Sequence, residues 1–203
     1  MDLELLAYSI IAALFAISIH ELAHAAVADR LGDPTPRALG RLTLNPLKHL
    51  DPIGLIMLVL FRMGWAKPVE VNPLHFKHYR RDMALVALAG PLANVTVACV
   101  VNLFGTFLTR LPLNPQYVYA LARLIRISIQ LNIMLAAFNL IPLPPLDGSR
   151  IVASLLPFKQ RLAYEKITPY APFILILGIW TGALNIVILP IATFLEWVVK
   201  GFG

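Results

Sequence analysis

The stretch SIHELAHAAVAD, residues 18–29, closes an apolar run that begins at Leu3, and its reading decides the class of fold. It places two histidines and a glutamate where hydrocarbon side chains are otherwise continuous. Ionisable groups in such a run need partners or water, because an unpaired charge in an apolar medium is costly. Composition identifies the medium. Of 203 residues, 59% are hydrophobic and 14% charged, far from the soluble balance, so the chain reads as an integral membrane protein. The net charge of +6 is modest and no basic tract is interleaved with aromatics, which gives no support to nucleic-acid binding. Cys99 is the only cysteine, so there is no internal disulfide. The acidic start MDLELL and the HELAH within the run argue for a retained segment rather than a cleaved signal peptide.

A helix needs about 20 apolar residues to cross the hydrocarbon core. Four segments qualify: Leu3 to Ala28, Met83 to Leu108, Val118 to Ile141, and a long stretch from Pro172 to Val199. Pro190 is expected to break the last, leaving IATFLEWVVKGF as an interfacial helix; a second crossing there would make five spans. The connection 29–82 has content of its own. PRALGRLTL and GWAKPVEVNP alternate like strands, and PIGLIMLVLF is apolar but too short to span, which predicts short strands and a half-buried helix at one leaflet. The expected fold class is therefore an all-α polytopic membrane protein of about four transmembrane helices, with short membrane-associated strands between the first and second. It forms one membrane-embedded domain over 1–203, with a core at 3–156 and further helices at 168–203.

Basic residues set the orientation. The first connection carries Arg30, Arg37, Arg41, Lys48, Arg62, Lys67, Lys77, Arg80 and Arg81, and the third carries Arg150, Lys159, Arg161 and Lys166. By the positive-inside rule both connections face the cytosol and both termini lie outside.

In HELAH, His20 and His24 are four apart and stack on one helical face, with Glu21 about 100° around. This spacing lets two imidazoles share one Zn²⁺ while the neighbouring carboxylate serves a metal-bound water as general base. A helix that merely carries these residues is the bland alternative, and the cost of an unpaired carboxylate at membrane depth weighs against it. Catalytic zinc takes a third protein ligand. His49, His75 and His78 read as interfacial loop residues. Asp147, in NLIPLPPLDGSR, reads in isolation as a helix N-cap, with Pro142, Pro144 and Pro145 ending the third helix and Gly148 permitting a tight turn. Three crossings, however, bring Asp147 to the same side as HELAH, which makes it the candidate third ligand.

HELAH, AGPLAN and NLIPLPPLDG, in that order among membrane spans, resemble the site-2 protease family of intramembrane zinc metalloproteases, over residues 3–156. GWAKPVEVNP resembles the membrane-associated strand segment of short members. The resemblance implies that His20, His24 and Asp147 hold one zinc and that Glu21 is the catalytic base. It makes Asn139 a candidate for steadying substrate or oxyanion, and Asn94 a weaker one. Both amides have a structural alternative: Asn94 as an interhelical bond and Asn139 as a partner for backbone freed where the helix unwinds. The 203 residues contain no PDZ domain or extra leading spans. The implied substrate is a transmembrane segment of another protein in the bilayer, in a prokaryotic plasma membrane, cut near the cytosolic side. A metal-ion transporter and a non-proteolytic homologue that binds membrane proteins are the competing readings. The sequence leaves the oligomeric state open.

Overall fold

The protein was analysed as a computed structural model that describes residues 3–54, 66–108, 112 and 114–202. Among the described residues, three helices are long and apolar enough to cross a membrane, α1 (Leu3–Arg30), α3 (Tyr79–Leu108) and α4 (Pro115–Asn139), and a bent C-terminal pair taken as one span would make four. A four-residue α2 (Thr35–Ala38) follows α1. Beyond α4 come α5 (Asp147–Leu155), α6 (Phe158–Glu165), α7 (Ala171–Thr181) and α8 (Asn185–Lys200).

Local chemistry explains the ends. α1 stops just before Gly32, whose φ of 107° is open to glycine and strained for other residues. The first turn of α3 is tied by Asp82, whose carboxylate accepts the His78 N–H at 3.0 Å and satisfies a donor that has no partner within the helix. Asn114 caps α4 by accepting the Gln116 N–H at 2.9 Å, with Pro115 at the first helical position.

α1, α3 and α4 pack against one another, and α8 lies against α3 and α4. Where α4 meets its neighbours, buried alanines sit among the larger core residues: Ala98 on α3, Ala136 and Ala137 on α4, Ala192 on α8. Small residues allow close backbone approach, which substitutes in lipid for the hydrophobic drive between helices. Large apolar side chains point outward instead, Ile11, Phe107 and Leu177 among them, with Trp180 84% exposed. That surface suits hydrocarbon and fails in water. The chain is an integral membrane protein.

Three expectations are corrected. The segment PRALGRLTL forms the helical turn α2 and bends, not a strand, because Pro36 sits in the first turn of a helix that the Asp33 carboxylate helps to start by accepting the Thr35 N–H. Residues 67–72 form no regular element and have no partner strand among the described residues. The one bridge nearby joins Leu50 to Ala66, and alternation without a ladder makes no sheet. The apolar stretch PIGLIMLVLF is helical at Pro52–Gly54 and otherwise lies outside the described residues. Finally, the C-terminal stretch does not break at Pro190, which sits inside α8. It breaks at Gly182, where φ is 73°, and α7 and α8 meet at 79°.

Candidate metal centre

α1 delivers His20 and His24 one turn apart on the face turned to α3 and α4, and both are buried. α5 delivers Asp147. Asp147 is the first residue of α5 and makes no capping bond, so the N-cap reading fails. Its carboxylate reaches the histidines instead: Oδ2 lies 3.2 Å from His20 Nε2 and 3.1 Å from His24 Nε2, and the two Nε2 atoms are 3.0 Å apart.

Two glycines make this convergence sterically feasible. A Cβ at Gly90 would lie 2.7 Å from His20 Nε2 and closer still to His24 Nε2, so the AGPLAN glycine is the floor beneath both imidazoles. A Cβ at Gly148 would meet the carbonyl oxygens of Leu140 and Ile141. Gly148 is thus required for close packing of α5 on the end of α4, rather than for a left-handed turn.

The far edges of the rings are also held. His24 Nδ1 is 2.6 Å from the Val86 carbonyl, which can only accept, so His24 donates there and turns an unprotonated Nε2 to the centre when neutral. His20 Nδ1 is 2.6 Å from Asn94 Oδ1. Three electron-pair donors thus face one another within 3.2 Å, an arrangement that favours a cation between them. Around a tetrahedral zinc with bonds of about 2.0–2.2 Å, ligand atoms stand about 3.3 to 3.6 Å apart, a few tenths of an ångström from the spacing here. His20, His24 and Asp147 could therefore hold a metal ion.

Glu21 is buried beside this cluster, and its Oε2 accepts the Val69 N–H at 3.0 Å. The segment 67–72 thus lies against Glu21. Buried Arg41 fastens that segment through carbonyls, with Lys67 O at 3.4 Å and Pro68 O at 3.3 Å. Buried Asp33 fastens its far end by accepting the Asn72 N–H at 2.7 Å and bonding His75 Nδ1 at 3.0 Å.

The remaining candidates fall in different places. Asn94 is fully buried at the junction of α1, α3 and α4. Asn139 is half-buried at the end of α4, where its amide donates to Leu135 O at 2.9 Å on its own helix. Among the described contacts it does not reach the cluster. His49 is fully buried rather than interfacial, its Nε2 2.8 Å from Thr43 O. Sequence reasoning passed over Asn132, which bonds Asn94. The signal was available, since an amide in an apolar span four residues before buried Ala136 lies on the packed face of α4.

An inward-facing cluster of two histidines and an aspartate, set in a bundle of apolar helices, marks a membrane-embedded protein with a candidate metal centre. Comparison with known proteins gives the family. The model of Peptidase family M50 matches residues 116–181. A Bacillus subtilis protein, YwhC, provisionally named a zinc metalloprotease, is 38% identical over 99% of this chain and 89% of its own length. Two mycobacterial proteins with the provisional name zinc metalloprotease Rip2 are also similar. That of Mycolicibacterium smegmatis is 32% identical over 85% of this chain and 66% of its own length, and that of Mycobacterium tuberculosis is 31% identical over 80% and 61%. No solved structure gives a significant match. The chain belongs to peptidase family M50, the site-2 protease family, and is a zinc metalloprotease by that membership.

Proposed function

We propose that this protein hydrolyses peptide bonds within or next to transmembrane segments of other membrane proteins, with one zinc held by His20, His24 and Asp147. The observation that carries the reading is the convergence of those three side chains to within 3.2 Å beside a buried glutamate, in the interior of a membrane bundle. When bound, the metal would supply Lewis acidity to a scissile carbonyl and lower the pKa of a coordinated water. Glu21 takes a proton from the attacking water and returns it to the leaving amine, a transfer for which a carboxylate is suited. Asn139 is a candidate for steadying the substrate if its amide leaves Leu135 O.

A helical substrate is closed to attack because its carbonyls are bonded and wrapped, so the cleaved stretch must be extended. Water reaches the site from the cytosolic side, where backbone broken after Asn139 is tolerable only against protein or a polar cavity. This orientation rests on the basic residues of the first and third connections and places the N-terminus outside, in a prokaryotic plasma membrane.

Glu21→Gln tests the assignment. The variant is expected to hold zinc like the wild type while turnover of a model membrane substrate falls at least a hundredfold, as loss of a general base does. Full activity in Glu21→Gln would overturn the proposed role. A transporter reading predicts zinc flux across vesicles instead, and a binding-only homologue predicts no cleavage by the wild type.

A further inference from the structure

We infer that Asn94 and Asn132 form an amide relay across α1, α3 and α4 that locks His20 in the tautomer a metal requires; this rests on the metal site read above. The orientation of each amide can be fixed by hydrogen-bond accounting. The Ala16 carbonyl can only accept, so the nitrogen of Asn94 must face it, at 3.0 Å. The other proton on that nitrogen goes to Asn132 Oδ1 at 2.8 Å. Asn132 is itself oriented, since its nitrogen donates to the Ser128 carbonyl at 2.8 Å.

Both Asn94 protons are then assigned, and its Oδ1 remains as an acceptor facing His20 Nδ1 at 2.6 Å. His20 must donate there, which leaves Nε2 with a free electron pair aimed at the centre. Burial keeps water from substituting for any member: Asn94 is 0% exposed, Asn132 1% and His20 4%. The two histidines are therefore held differently. His24 answers to one backbone carbonyl on α3, whereas His20 answers to side chains that three helices must bring together. Asn94 has no N–H left for an oxyanion, so it is a positioning residue.

The test compares zinc affinity, by chelator competition, with the melting temperature of the metal-free protein in detergent. Asn94→Leu removes the acceptor, and zinc affinity is expected to fall ten- to a hundredfold. Asn94→Asp restores an acceptor for His20 while setting a carboxylate against the oxygens of Ala16 and Asn132. It is expected to bind zinc at least tenfold more tightly than Asn94→Leu, yet to melt no higher. A purely structural role predicts that affinity follows melting temperature across the pair, and that result overturns the relay. So does wild-type zinc affinity in Asn94→Leu. If neither variant folds, Asn132→Leu decides: about a tenfold loss of zinc affinity with a shifted cobalt absorption spectrum supports the relay, and wild-type values refute it. Failure of the underlying site reads out separately, as wild-type zinc binding that survives His20→Ala.

Discussion

Two of the breaks between helices in the C-terminal half differ in consequence. At Leu140–Leu146 the backbone is tied into the core: Ile141 and Leu146 are buried, the Leu143 N–H bonds Ile141 O, and Ser149 returns both its N–H and its hydroxyl to Leu146 O. At Gly182–Leu184 the chain turns near the surface, closed by a Gly182 bond to Ile179 O and by Leu184 lying on Gly178. The first break carries Asp147, held on the histidines. The second only swings Ile188 and Leu195 onto the core. A break can position a ligand when its neighbours over-determine the backbone, and merely redirects the chain when they do not.

The same substitution at each break tests this difference. In Gly148→Ala the new methyl would collide with two carbonyl oxygens that cannot rotate away, so α5 must shift and carry Asp147 with it. Zinc content and turnover are both expected to fall at least tenfold, measured by metal analysis and cleavage on one preparation. Full zinc content in Gly148→Ala would show that Asp147 does not depend on that packing.

A third tie lies between these extremes, because it is made of hydrogen bonds rather than packed backbone. Burial alone would raise the Asp33 carboxyl, but hydrogen bonds from Thr35, the Asn72 N–H and His75 hold it below its usual value. A depressed carboxyl stabilises the folded form above its unfolded pKa of about 3.9, and that contribution is lost as pH falls through the lower folded value. Asp33→Ala is expected to cost about 1 to 3 kcal/mol at neutral pH, since it strands buried donors. The stability gap between wild type and Asp33→Ala should then narrow below about pH 4. Thermal melts across pH 3–7 check both, and a gap that stays constant with pH would remove Asp33 as the tie.

The candidate metal cluster was legible because its signals are local or topological: His20 and His24 by helical spacing, Asp147 by counting crossings. The three spanning helices were legible from length and hydropathy. What failed depends on partners that a single segment cannot show. Strand-like alternation at 36–44 was overridden by a helical turn that Asp33 helps to start, and 67–72 is tied to Glu21 and Asp33 rather than to another strand. The role of Gly90 needed His20 and His24 in place above it, and Asn132 gained meaning only once Asn94 faced it.

The misplaced break supplies the smallest and sharpest test. Pro190 is a strong helix breaker by rule, yet it sits in the sixth position of α8, just past the first turn, where it removes one hydrogen bond without ending the helix. Gly182 makes the bend, with a left-handed φ of 73° that a side chain tolerates at a cost of about 1 to 2 kcal/mol. A Cβ there would meet nothing closer than Asn185 Nδ2 at 3.6 Å, so the cost is conformational rather than steric. Gly182→Ala is therefore expected to lower stability by about 1 kcal/mol and leave zinc content unchanged, in contrast to Gly148→Ala. Pro190→Ala should be neutral or stabilising, because it restores an N–H to the helix interior. Spin labels at the exposed positions 173 and 197, in a Cys99→Ala background, report the angle between α7 and α8 directly. The distance between them should be the same in wild type and Pro190→Ala; a helix that straightens only in Pro190→Ala would return the break to the proline.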